Sequence, residues 1–191
     1  MLVKELIKTV ALLVGDANLN NYIDTKLGSE QTANEYQCLI TMVNLVVNET
    51  MGFVPLVTEE EITVTDGKVY YKDLQKKAIQ INLITNELDE KLSFTQKLDY
   101  VEVDKSAKII KYIYAPETLT EESEIPYQEK DISSSVIAYG VTANYCIYQN
   151  RFDEATLWNE RYVIGVKEFS SKKTTETNAV KNSVIKGRAF L

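Results

Sequence analysis

The apolar residues of this 191-residue chain recur at helical spacing near both ends and at alternate positions in the middle. That switch of period predicts an α+β fold: a helical bundle built from N- and C-terminal helices, an inserted small antiparallel β-sheet, and an extended C-terminal arm. Leu2, Val3, Leu6, Ile7, Val10 and Val14 step by three and four, and Gly15 supplies the stop. Ser29 precedes a longer stripe through Tyr36, Leu39, Ile40, Val43, Val46, Val47 and Thr50, which ends at Gly52 and Pro55. From Glu61 the period falls to two. Ile62, Val64, Asp66-Gly67, Val69 and Tyr71 predict a β-hairpin, because Asp-Gly accepts the positive φ angles of a type I′ turn. Further strands are expected at 78–83, 92–94, 100–103 and 109–114, the last closed by Pro116.

Residues 117–131 hold six acidic side chains against the single Lys130, include Pro126, and read as an exposed connection. Beyond them Asp131 or Ser133 can cap a helix bearing Ile132, Val136, Tyr139, Ala143, Cys146 and Ile147 on one side. Asp153 is the expected N-cap of a last helix, with Phe152 placed to pack on Leu157 as a hydrophobic staple. Trp158, Tyr162, Gly165 and Phe169 continue its stripe. After Ser170 the composition turns to Lys, Ser, Thr and Asn, which predicts a flexible arm until Ala189-Phe190-Leu191. The expected organisation is N-terminal helices over 1–56, a sheet over 57–116, a helical hairpin over 117–170 and an arm over 171–191.

The chain contains no histidine, which removes His-based acid/base catalysis and His-ligated zinc. Cys38 and Cys146 sit in apolar, helix-like contexts and cannot build a disulfide framework. The segment Asp16-Ala-Asn18-Leu-Asn20-Asn21-Tyr22-Ile23-Asp24 imitates a calcium loop at positions 1, 3, 5 and 9. Asn21 stands where the turn wants glycine, however, and Leu27 where a bidentate glutamate should close the shell. A short helix capped by Asp16, with Leu19, Tyr22, Ile23 and Leu27 inward, is the expectation. Glu59-Glu60-Glu61 and Glu121-Glu122 read as solvated carboxylates, since neighbours along a strand point apart. The seven glycines form no phosphate-binding loop, and no nucleophile has a base beside it. A non-enzyme without cofactor or metal is therefore expected. Twelve of the eighteen aromatics are tyrosines, among them Tyr112, Tyr114, Tyr139, Tyr145 and Tyr148, which suits either subunit interfaces or half-buried faces.

Net charge is −7, unevenly spread. From Ser170 onward Lys172, Lys173, Lys181, Lys186 and Arg188 face only Glu176, a net +4 against −11 for the rest. These basic residues, with Phe190, are the candidate interface residues: a basic arm suits an acidic partner surface or a phosphate backbone, whereas the acidic body repels nucleic acid. The N-terminal apolar run is interrupted by Lys4, Glu5 and Lys8 and is too short to span a bilayer, so a cytosolic protein without membrane contact is expected.

Met42-Val-Asn-Leu-Val-Val-Asn-Glu49-Thr-Met-Gly-Phe53-Val-Pro55-Leu56 resembles the second helix of a group of phage and prophage structural proteins from Gram-positive hosts. Ile110-Lys-Tyr112-Ile-Tyr114-Ala-Pro116 resembles their last strand. Ala138-Tyr139-Gly140-Val-Thr-Ala-Asn-Tyr145-Cys146, continuing through Arg151-Phe-Asp-Glu154-Ala155-Thr-Leu-Trp158-Asn-Glu-Arg161-Tyr162, looks like their C-terminal helical hairpin. Gly187-Arg188-Ala189-Phe190 is similar to an ending usually written with two arginines and an aromatic, one arginine being absent here. In order along about three quarters of the chain, the resemblance is to head–tail connector or tail tubular adaptor proteins of tailed phages. It implies a virion neck protein, assembled in the bacterial cytoplasm into a homo-oligomeric ring of about twelve subunits. Such a ring joins portal protein to neighbouring tail or neck proteins, and DNA passes through it without specific binding. It carries over no catalytic residue. A bacterial adaptor or regulatory binding module with no virion role is the alternative, and a metal-dependent hydrolase a third reading.

Overall fold

The computed structural model describes residues 1–186, with side chains through Ser171. It is α+β and divides into two compact units, one of helices formed by Met1–Val54 with the chain from Thr118 onward, the other of strands over Pro55–Glu117.

In the helical unit, α1 (Val3–Val14) ends where Gly15 takes up φ 72°, the left-handed conformation that a residue without Cβ adopts freely. Asp16 then caps α2 (Ala17–Thr25), its Oδ1 accepting the Leu19 N–H at 2.9 Å. Ser29 caps α3 (Glu30–Met51) in the same way through Thr32 N–H at 3.1 Å. Ser133, one of the two expected caps, accepts the Ser135 N–H ahead of α4 (Ser134–Tyr148). Helix α4 is the centre of the bundle: Val136, Ile137, Ala138, Gly140, Val141, Thr142, Ala143, Tyr145 and Cys146 are all buried. Burial around nearly the whole circumference explains why its sequence is apolar on more than one side.

Three expectations for this unit change. Helix α5 (Phe152–Lys186) starts two residues early, so Asp153 lies in its first turn, and Phe152 is 60% exposed instead of packed as a staple. The helix also runs past Ser170, so the chain from 171 to 186 is helical where composition suggests an arm; residues 187–191 lie outside the described residues. The connection 117–131 is not a loose loop. It buries Leu119 and Ile125 in the core, and Ile125 N–H donates to Met1 O while Val3 N–H donates to Ser123 O. Each such burial contributes ~1.5–3 kcal/mol, enough to hold a strongly charged segment against helices.

The strand unit contains two three-stranded antiparallel sheets where one was expected. In the first, β1 (Val57–Glu61) and β3 (Ala78–Asn86) flank β6 (Ala107–Tyr114). In the second, β2 (Lys68–Tyr70) and β4 (Phe94–Gln96) flank β5 (Tyr100–Val103). Asp66 and Gly67 do turn the chain with φ 51° and 74°, closed by reciprocal Thr65–Lys68 backbone bonds of 3.0 Å. The hairpin goes no further, because β1 pairs with β6 and β2 with β5. A two-stranded ribbon is marginal alone; the observed pairing sets Val69 opposite Val101 in a shared core with Ile84, Ile110 and Tyr112.

Candidate functional site

Four of the five carboxylates singled out from sequence are engaged as structural partners, and the fifth, Glu61, is exposed. On β1, Glu59 pairs with Lys111 at 3.7 Å, while Glu60 accepts from the Tyr112 hydroxyl at 3.1 Å and from the Gln75 N–H. Glu122 pairs with Lys4 at 3.0 Å. Glu121 receives the Lys26 ammonium and, at 2.6 Å, the Tyr36 hydroxyl. The Lys26 and Tyr36 hydrogen bonds hold the Glu121 carboxyl below the usual carboxylate range, and burial, followed by the bond to Glu121, pushes the Tyr36 phenol up. Lys26 also lies 4.1 Å from the centroid of the Tyr36 ring, which meets Tyr22 edge-on at 5.6 Å. This cluster fastens the connection to α2 and α3.

The calcium-like segment is helix α2, with Asp16 spent on its cap and Asp24 paired with Lys8 at 2.6 Å. Leu19 and Ile23 face inward as expected, but Leu27 is 72% exposed. Among the described residues no three acidic or cysteine side chains converge as metal ligands. Both cysteines are free thiols, and burial pushes the Cys146 thiol up, away from the thiolate a nucleophile needs. Tyr112 and Tyr145 are buried core residues, which removes them from any interface; Tyr148 is half-exposed and stacks on Tyr145 at 6.2 Å.

The candidate basic residues are only partly placed. Lys172, Lys173, Lys181 and Lys186 belong to α5, and Arg188 and Phe190 lie outside the described residues.

Sheet edges carry devices that discourage strand addition. Edge strand β1 bears three consecutive glutamates, β3 is interrupted by register shifts at three places, and β2 and β4 are three residues long.

Two surfaces have the opposite character. On α5, Ala155, Tyr162, Gly165 and Val166 face the core, while Leu157 and Ile164, two turns apart, are 48% and 58% exposed on the far side. Arg161 stands 4.7 Å from the Trp158 ring, which stacks on Tyr139 at 5.6 Å. On the second sheet, Tyr70 and Tyr100 oppose each other across β2 and β5 with ring centroids 5.8 Å apart. Lys68 sits 4.8 Å from the Tyr100 ring and Lys72 5.5 Å from the Tyr70 ring. Tyr70, Tyr71, Lys72, Leu98 and Asp99 line a shallow hollow of ≈ 370 Å³ there. The sequence signal for the α5 stripe was present in the spacing of Leu157 and Ile164. That for the sheet surface was hidden, because it depends on which strands pair.

No protein-family model matches the chain, and no curated protein is significantly similar to it.

Proposed function

We propose that this chain is a virion structural protein that assembles into a ring at the head–tail connector, joins portal to tail and surrounds the DNA exit channel. The observation that carries the assembly half of this reading is the two-sided helix α5. It buries one face in its own bundle and leaves Leu157 and Ile164 outward, as expected of a subunit that packs beside others. The virion half rests on the sequence resemblance in Met42–Leu56, Ile110–Pro116 and Ala138–Tyr162, and on charge: an acidic wall keeps passing DNA from adhering. The edge strands, being charged, bulged or short, favour assembly through helix faces and side chains over sheet extension. In this reading the protein has no catalytic role, and the basic C-terminal segment reaches an acidic neighbour.

Negative-stain imaging of the purified full chain, alone and mixed with purified portal protein, tests the proposal. Closed rings, or ring-shaped complexes on the portal, are expected. Strict monomers that ignore portal would contradict it.

A further inference from the structure

The turn from β4 to β5 carries Leu98, at 91% the most exposed large apolar side chain among the described residues. The turn is fixed: Lys97 N–H donates to Tyr100 O at 2.9 Å, and Tyr71 N–H to Asp99 O at 3.1 Å. Beside it lie the Tyr70–Tyr100 pair and the ammonium groups of Lys68 and Lys72, which enter no ion pair among the described residues. A held apolar tip ringed by tyrosines and unpaired cations has the composition of an interface centre. The outer side of α5 is its complement. Leu157 and Ile164 are exposed there among Asp153, Glu154, Glu160 and Glu168, which outnumber the exposed Arg161 and Lys167 on that side, on a helical unit whose fifteen acidic and seven basic side chains through Ser171 give it a net −8.

We propose that these surfaces meet between copies: the Leu98 tip of one chain seats on Leu157 and Ile164 of a second copy, with Lys68 and Lys72 facing Glu160 and Glu168. The inference rests on the assembly reading above and names its contact. Two different patches make a heterologous interface, the kind that closes into a ring. A nucleic-acid ligand fits less well, because the strand unit carries a net −3 and a phosphate backbone offers Leu98 no apolar socket.

The test places a benzophenone amino acid at position 98 of the full chain, mixes isotopically heavy and light protein, irradiates it and maps the products. Heavy-to-light links into residues 152–171 are expected. Leu98→Ser and the pair Lys68→Glu/Lys72→Glu should each weaken self-association about tenfold or more, and adding Glu160→Lys/Glu168→Lys to the latter should restore it. Leu98, Lys72, Glu160 and Glu168 are exposed, whereas Lys68 is half-buried opposite Glu102, so each variant's assembly is read only beside a circular dichroism spectrum and melting curve that match the wild type, with Lys72→Glu alone as the variant that leaves the β2–β5 ladder untouched. A monomeric wild type would overturn the assembly reading and this contact with it. An assembled wild type whose links fall elsewhere, or whose Leu98→Ser variant assembles unchanged, would overturn the contact alone. Loss of binding to a fluorescent DNA duplex in Lys68→Glu/Lys72→Glu, with assembly intact, would reassign the patch to nucleic acid and also overturn it.

Discussion

Gly165 of α5 lies so close to Val136 of α4 that a Cβ at position 165 would stand 2.6 Å from Val136 Cγ2. Two opposing effects decide what Gly165→Ala does. Alanine favours the helix by about 1 kcal/mol, but overpacking a β-branched neighbour that cannot swing away costs ~1–3 kcal/mol. Net destabilisation is expected in urea titrations. Val136→Ala should relieve it, so that the double variant loses less than the sum of the singles.

Asn44 fixes the acidic connection to α3 with both ends of its carboxamide, donating to Leu119 O at 3.0 Å and accepting from Leu119 N–H at 2.7 Å. Asn44→Ala leaves both Leu119 groups without that partner and should cost ~1–3 kcal/mol. Hydrogen exchange should then quicken over residues 117–131 more than in the strand unit.

Acid should loosen the same connection. The Glu121 carboxyl is depressed in the folded chain, first by Lys26 and then by Tyr36. Its contribution is therefore present above the ordinary value of 4.5 and is lost as pH falls through the lowered folded-state value. With no histidine in the chain, melting temperature should change little from pH 6 to 8 and fall below pH 4.5. Glu121→Gln should flatten the acid limb, and an unchanged limb would show that other carboxylates govern it.

Tyr162 shares a buried hydrogen bond of 3.0 Å with Thr50, whose hydroxyl also reaches Val46 O at 2.7 Å. Tyr162→Phe keeps the ring against Gly140 and removes one bond, with an expected loss of ~0.5–1.5 kcal/mol. Tyr162→Ala opens a cavity and should cost several-fold more by denaturant unfolding.

What the sequence made legible was local. Gly15, Asp16, Ser29 and Ser133 punctuate the helices where their chemistry allows, and Asp66-Gly67 makes its turn. Pairing was not legible, because the turn leaves open where its upstream arm goes; Val69 finds Val101 from across the unit, and the predicted single sheet becomes two. The connection was misjudged because its charge outweighed Leu119 and Ile125, two isolated apolar residues whose burial decides its course. Periodicity found the inner face of α5, whereas the meaning of Leu157 and Ile164 emerged only once that face was seen to be filled by Tyr162, Gly165 and Val166.

Sedimentation velocity of the full chain beside its Leu157→Ser/Ile164→Ser variant addresses the assembly claim most directly. The account predicts a large, concentration-dependent species for the wild type and a 21.7 kDa monomer for the variant, with the same helical content in both. A wild type that sediments as a monomer at every concentration, or a variant that assembles like the wild type, would contradict it.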